Sequence, residues 1–295
     1  MSIGSASGKI VVGVDDSTEA LTAARYAVHE AELRKTDLEL MHAYQVPEVV
    51  EPISEDYRTR VMRGPAVEVM RQVMEQLVIP PGVTVQSSLH MTEPVIMLVE
   101  ASDRAQLIVL GQHHITLGER LLEGSVASPV AARANCPVVI VPRVWDPEPE
   151  KYGPVVVALD GDTPAETALS YAFDEAEARG SQLVALHAVP LGTMPGELSL
   201  QRLNIEEVLA GWKQDHPDIR VKTFLTTGDP DLSIIEASRQ AAVLIVGRPH
   251  RDTFGAWTRS VARSVLKETH CPLVVVPATP VSEVTEGTVA SSLSG

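Results

Sequence analysis

Short apolar runs separated by longer mixed segments set the pattern of this chain. Ile10–Val14, Leu107–Leu110 and Val138–Val141 are nearly unbroken, as expected for strands buried on both faces. With Leu38–His42 and Thr84–Leu89 they predict five strands in the first half. The second half repeats the set, in the run from Val156 and in Leu183–His187, Val221–Leu225, Val243–Val246 and Leu273–Val276. Helical signals lie between the strands. Ser17 can cap a helix running to about Lys35. Thr163-Pro164-Ala165-Glu166 combines an N-cap, a first-turn proline and a capping-box glutamate, and Gly180 suits the end of that helix. Pro94 and Pro230 each open a helix. Residues 46–65 are rich in proline and acids and carry no clear period; a helix follows them to about Leu77, with Met62, Met70 and Met74 at core spacing. Strands alternating with helices predict parallel βαβ units.

The two halves are copies of one unit. Asp15 to Asp160 and His42 to His187 are both 145 residues apart (160 − 15, 187 − 42). Cys136 to Cys271 is 135 (271 − 136), so the second copy is shorter, mostly between its second and third strands. The expected units are residues 9–143 and 153–277, joined by a Pro- and acid-rich linker over 144–152. The tail, 278–295, is Ser/Thr/Val/Glu-rich without period and reads as disordered. The expected fold is α/β: two tandem open five-stranded parallel sheets with helices on both faces. In such sheets ligands sit beyond the carboxyl ends of the strands, where the strand order reverses.

Charge narrows the partners. A net −15 disfavours nucleic acid and anionic membrane. No apolar run reaches the ~20 residues of a membrane span, and no secretory signal pattern opens the chain. The two cysteines occupy equivalent places before valine-rich strands, without metal spacing, as core thiols of a reducing compartment. The expected location is the cytoplasm.

Candidate chemistry gathers at the strand ends. Asp15 stands one step past the first strand, where its carboxylate can accept from ribose hydroxyls; Asp15 or Asp16 can equally cap the following helix. Asp160 holds the same place in the second copy. His42 and His187 read as structural. His113-His114 lacks a third metal ligand. Walker, GxGxxG and Gly-x-Ser-x-Gly motifs are absent from the sequence.

After the fourth strand comes Gly111-Gln-His-His114, then Gly124-Ser125-Val126. With the Asp15 strand, the His42-Ala43 strand end and the Cys136-Pro137 strand, this loop resembles the universal stress protein family. Nucleotide-binding members of that family show Gly, two residues, Gly, nine residues, Gly, then Ser or Thr. Gly111, Gly124 and Ser125 match; His114 replaces the second glycine. The resemblance spans both copies and is similar to the tandem two-domain form. It implies an adenine-nucleotide alpha hydrolase-like fold, a pseudo-two-fold arrangement in which the fifth strands pair, and an ATP site with Mg in the first domain. Asp15, with Val14 and Asp16 beside it, would meet the ribose, and the backbone at Met41, His42 and Ala43 the adenine. Gly111, His114, Gly124, Ser125 and Val126 would hold the phosphates. A left-handed His114 would cost about 1–2 kcal/mol, roughly tenfold in affinity.

The second copy departs further. Asp160, Ala188, Gly247, His250, Arg259 and Ser260 occupy the matching positions, and Arg259 stands where the third glycine belongs. Such a side chain fills phosphate space and predicts a dead site. Against that, Arg248, Arg251, Arg259 and Arg263 form a basic island that can hold an anion by guanidinium forks, or can pair with carboxylates across the domain interface. The resemblance points to a regulatory stress-response protein rather than an enzyme, since no positioned nucleophile is found. The alternatives are an interaction protein with relic sites and a slow ATP-hydrolysing or nucleotidyl-transfer enzyme. Protein partners are not identified by the sequence; domain pairing within the chain, with a homodimer beyond it, is the expected assembly.

Overall fold

The computed structural model describes residues 8–45, 55–112, 126–145, 153–159, 166–248, 265–266 and 268–278, with side chains from residue 63 onward in the second helix. The first half runs β1 (Ile10–Gly13), α1 (Thr18–Arg34), β2 (Leu38–Ala43), α2 (Glu55–Glu75), β3 (Val85–His90), α3 (Pro94–Ala101), β4 (Leu107–Gly111), α4 (Ala127–Arg133) and β5 (Val138–Val141). The second runs β6 (Val155–Ala158), α5 (Glu166–Arg179), β7 (Leu183–Val189), α6 (Pro195–Asp215), β8 (Val221–Thr227), α7 (Pro230–Ser238), β9 (Val243–Gly247) and β10 (Leu273–Val276).

The strands form one ten-stranded sheet in the order β3-β2-β1-β4-β5-β10-β9-β6-β7-β8. Within each half all pairs are parallel; only β5 and β10 run antiparallel. The two expected five-stranded sheets are therefore there, fused edge to edge. At the join Val139 faces Val274, its own counterpart, flanked by Ile140–Leu273 and Val138–Val275. A pseudo-two-fold axis thus passes through the centre of the molecule. The fusion covers two edges that would otherwise expose unpaired backbone groups.

Each face of the sheet buries one apolar core continuous across both halves. One face carries Tyr26, Leu38, Val139, Phe173, Leu209 and Val274; the other carries Met41, Leu98, Ile140, Leu186, Ile234 and Leu273. Ser17 caps α1 by accepting from the Ala20 amide at 3.1 Å, and Gly180 ends α5 with φ +59°. Two regions differ from expectation. α2 begins ten residues before Pro65 and contains it; Pro65 is exposed, opposite the buried Ala66, Met70 and Val73, so water can serve the carbonyl it leaves unpaired. α6 was not anticipated. Only Ile205 and Leu209 of it are buried, while Leu200, Leu203 and Val208 are exposed, so its sequence shows no clean apolar stripe.

On one side of the sheet α1 meets α5 through a closed ring of charge. Glu30, Arg34 and Tyr26 pack against Glu175, Arg179 and Tyr171, each residue 145 positions from its counterpart (175 − 30). Arg34 donates to Glu30 at 2.9 Å and to Glu175; Arg179 donates to Glu175 at 2.6 Å and to Glu30. Arg34 also reaches the Tyr171 hydroxyl at 2.9 Å. Glu30 is 0% and Glu175 2% exposed, with Arg179 at 6% and Arg34 at 16%, so this is a largely desolvated quartet with balanced charge.

Candidate functional site

The strand order reverses between β1 and β4 in the first half and between β6 and β9 in the second. Register then decides what meets at each rim. Gly13 pairs with Met41 and Val12 with Val109, which brings Asp15, Ala43 and Gly111 to neighbouring strand ends. Val14 is buried, its amide donating to the Met41 carbonyl at 2.9 Å; Asp15 and Asp16 are exposed. One Asp15 oxygen accepts from the Ser17 amide at 2.9 Å and from the Ser17 hydroxyl. Asp15 therefore braces the residue that caps α1, while its carboxylate stays on the rim.

His42 is half-buried, and its Nδ1 donates to the Val14 carbonyl at 2.7 Å. A carbonyl only accepts, so Nδ1 carries the proton and Nε2 is left toward the rim. His187 repeats the contact on Leu159 at 2.8 Å and adds a 3.2 Å contact from Nε2 to Gln201. Both histidines pin the turn after the first strand of their half. Met41 is 1% exposed and belongs to the core, so only its backbone lies near the rim.

Gly111 and Gly247 end β4 and β9, neither with a positive φ. Gly111 is required for a different reason. A methyl group there would lie 2.6 Å from the Glu19 backbone, in the first turn of α1. At Gly247 a methyl would, among the described residues, meet the Ala168 side chain at 3.5 Å. Val126, half-buried, immediately precedes α4 and gives it no side-chain cap. In the second half Ala188 is half-buried near the end of β7. His114, Gly124, Ser125, Asp160, His250, Arg259 and Ser260 lie outside the described residues.

The structure thus brings Val14, Asp15, Asp16, His42, Ala43 and Gly111 to one rim. It also reveals a contact pair at the domain interface, of which sequence reasoning had singled out Arg248 but not Gln112. Gln112 and Arg248 directly follow the two strand-end glycines and reach across the pseudo-two-fold axis. Gln112 Nε2 donates to the Leu266 carbonyl at 2.8 Å; Arg248 donates to the Ala134 and Ala131 carbonyls at 2.7 and 3.3 Å. Arg248 of the basic island therefore does bridge the interface, with two carbonyls among its partners; Arg251, Arg259 and Arg263 lie outside the described residues. The signal for Gln112 was position, one residue beyond the glycine; for Arg248 the basic island had already offered an interface role.

Among the described residues there is no cluster of three or more His, Cys, Asp or Glu side chains suited to a metal ion, and no helix long and apolar enough to cross a membrane.

Comparison with known proteins agrees with this architecture. The profile of the universal stress protein family matches residues 7–142 and 151–277. A universal stress protein of Mycobacterium tuberculosis is 33% identical over 293 residues, covering 93% of this chain and 98% of its own. One from Mycolicibacterium smegmatis is 31% identical over 283 residues, covering 90% and 96%. In fold, the crystal structure of a universal stress protein from Archaeoglobus fulgidus superposes with a TM-score of 0.72 at 19% identity, covering 94% of this chain and 98% of that one. Two matched repeats, one fused sheet and relatives aligned over nearly their full length lead to one conclusion: the chain belongs to the universal stress protein family, in its tandem two-domain form.

Proposed function

We propose that the first domain binds ATP with Mg2+, and that occupancy biases the arrangement of the two domains and hence the binding of protein partners. The observation that carries this reading is the meeting of Asp15, Ala43 and Gly111 at the strand-order reversal, followed in sequence by Gly124-Ser125. The exposed carboxylate of Asp15 suits ribose hydroxyls. Backbone amides of the Gly111–Ser125 segment and the Ser125 hydroxyl suit phosphate oxygens. The exposed carboxylates of Asp15 and Asp16 fit a hard cation that keeps most of its water and is carried on phosphates. The second domain, with Arg259 at a glycine position, is the weaker or empty site. The working unit is the domain pair 9–143 and 153–277, and the buried thiols of Cys136 and Cys271 suit a reducing cytoplasm.

A rival reading, a partner-binding protein with relic sites, also rests on observations. Asp15 already serves Ser17, and Gly111 is explained by the contact with α1. Equilibrium dialysis with labelled ATP and Mg2+ separates the two. Our reading expects about one nucleotide per chain, weakened about tenfold by Asp15→Asn, which keeps an acceptor for Ser17. No binding to the wild type selects the relic reading; two nucleotides per chain would refute the asymmetry. Release of ADP or a nucleotidyl product during the incubation would instead mark an enzyme.

A further inference from the structure

The two cross-axis side chains are symmetric in place and unlike in chemistry. Gln112 and Arg248 are equivalent, as are Ala131 and Leu266, and the backbone amides of Gln112 and Arg248 pair with Val141 and Val276 at 2.8 and 2.7 Å. Each is thus clamped to its own fifth strand while its side chain grips the far domain. Gln112 is 4% exposed.

Arg248 grips the carboxyl end of α4. The last carbonyls of a helix have no partner within it, and a cation there also opposes the partial negative charge. α4 has seven residues, so its two ends are only about 10 Å apart. Its amino end follows directly on Gly124-Ser125-Val126. Within the first domain the carboxyl end is held by the Asn135 amide donating to the Ser102 hydroxyl at 2.9 Å; from the second domain it is held by Arg248.

We propose that Arg248, a residue of the second domain, is a positioning residue for the nucleotide site of the first. This rests on the nucleotide-binding reading above. Arg248 touches no nucleotide; it holds the axial position and tilt of α4, the helix that follows Gly124-Ser125-Val126 in the chain. Gln112 makes the reciprocal contact on Leu266. Each domain therefore contributes one side chain that bonds main-chain carbonyls of the other, and a change at either strand end is transmitted across the axis. Such coupling needs only that the gripped and ungripped positions of the helix bind ligand unequally.

The test uses the full chain with Mg-ATP as probe, and three proteins: wild type, Arg248→Ala and Arg248→Gln, the last reproducing the side chain used in the first domain. Dialysis gives Kd, and amide hydrogen exchange over residues 126–134 reports α4. The expected result for Arg248→Ala is a Kd about 5- to 20-fold higher, with faster exchange confined to 126–134. Arg248→Gln is expected within about 3-fold of wild type on both readouts. A merely structural arginine would lower the unfolding temperature without moving Kd. Overturning results are a Kd for Arg248→Ala within twofold of wild type, or an equal loss in Arg248→Gln. Failure of the wild type to bind ATP would instead sink the functional reading, and this inference with it.

Discussion

The buried quartet allows a sharp energetic test, through Glu30→Gln. The substitution keeps the shape of the side chain and one acceptor oxygen, so it opens no cavity. What it removes is one of two carboxylates that neutralise two guanidinium groups at a site where Glu30 is 0% exposed and Arg179 6%. A net positive charge is left desolvated. Removing one member of a buried ion pair costs about 3–5 kcal/mol, a large part of the ~5–15 kcal/mol that holds a typical domain folded. With a urea slope of about 3 kcal/mol per molar, the midpoint should fall by about 1–1.7 M at unchanged slope. Tryptophan emission reports both domains, since Trp145 lies 5.0 Å from Tyr26 and Trp212 stacks on Phe173 at 5.6 Å. Glu68→Gln is the control: its partner Arg71 is 51% exposed and the midpoint should barely move.

The same group fixes a pH window. Burial alone would raise the Glu30 pKa, but Arg179 and Arg34 outweigh it and hold the carboxyl at about 2, below the ordinary 4.5. A depressed folded-state pKa means stability that is complete above pH 4.5 and is lost as pH falls toward 2. Wild type and Glu30→Gln should therefore differ most at neutral pH and converge in acid. A cost below about 1 kcal/mol at pH 7 would show that water reaches the quartet, and the reasoning would fail.

Two further outcomes follow from packing. Gly111→Ala should destabilise by about 1–3 kcal/mol, because its methyl meets the Glu19 backbone at 2.6 Å; thermal unfolding checks this, and an unchanged midpoint would contradict the contact. Burial pushes the thiols of Cys136 and Cys271 up to about 12, so neither should react with an aromatic disulfide reagent at pH 8 until the protein is unfolded, and fast labelling of the native chain would contradict their burial.

Much of the scaffold was legible because its physics is local. Apolar runs marked the central strands, and Pro94, Pro230 and Ser17 marked helix starts through their own backbone chemistry. The pairing of β5 with β10 came from the family resemblance, not from the residues, since a valine-rich strand does not announce its partner. α6 escaped because a helix at the border of the sheet buries too little to leave a stripe. The quartet escaped for the opposite reason. Glu30 and Arg34 stand four apart on a helix, the spacing of an ordinary solvated pair, and only the approach of α5 turns them into a buried ring. At the rim, the sequence located Asp15 and Gly111 but not what they touch: Ser17 and the first turn of α1.

Duplication supplies an internal control on which features serve the fold. Gly8 and Gly153 both sit where a methyl would strike a carbonyl oxygen, of Arg104 and Gln240. His42 and His187 both hold a carbonyl after the first strand, and Ser102 and Ser238 both receive the amide of the residue before a Cys-Pro. Features repeated in both halves thus have packing or hydrogen-bonding reasons, and their presence says nothing about a ligand. The departures are more informative. Gly111 is explained by its contact with the first turn of α1, so the glycine alone is no mark of a phosphate site. Gly124 against Arg259, and Gln112 against Arg248, are exchanges at the loop that follows an otherwise matched strand. Because the sheet beneath them is common, a difference in ligand affinity between the two domains is to be sought in such exchanges, with Asp16 against Gly161 among them, and not in the fold.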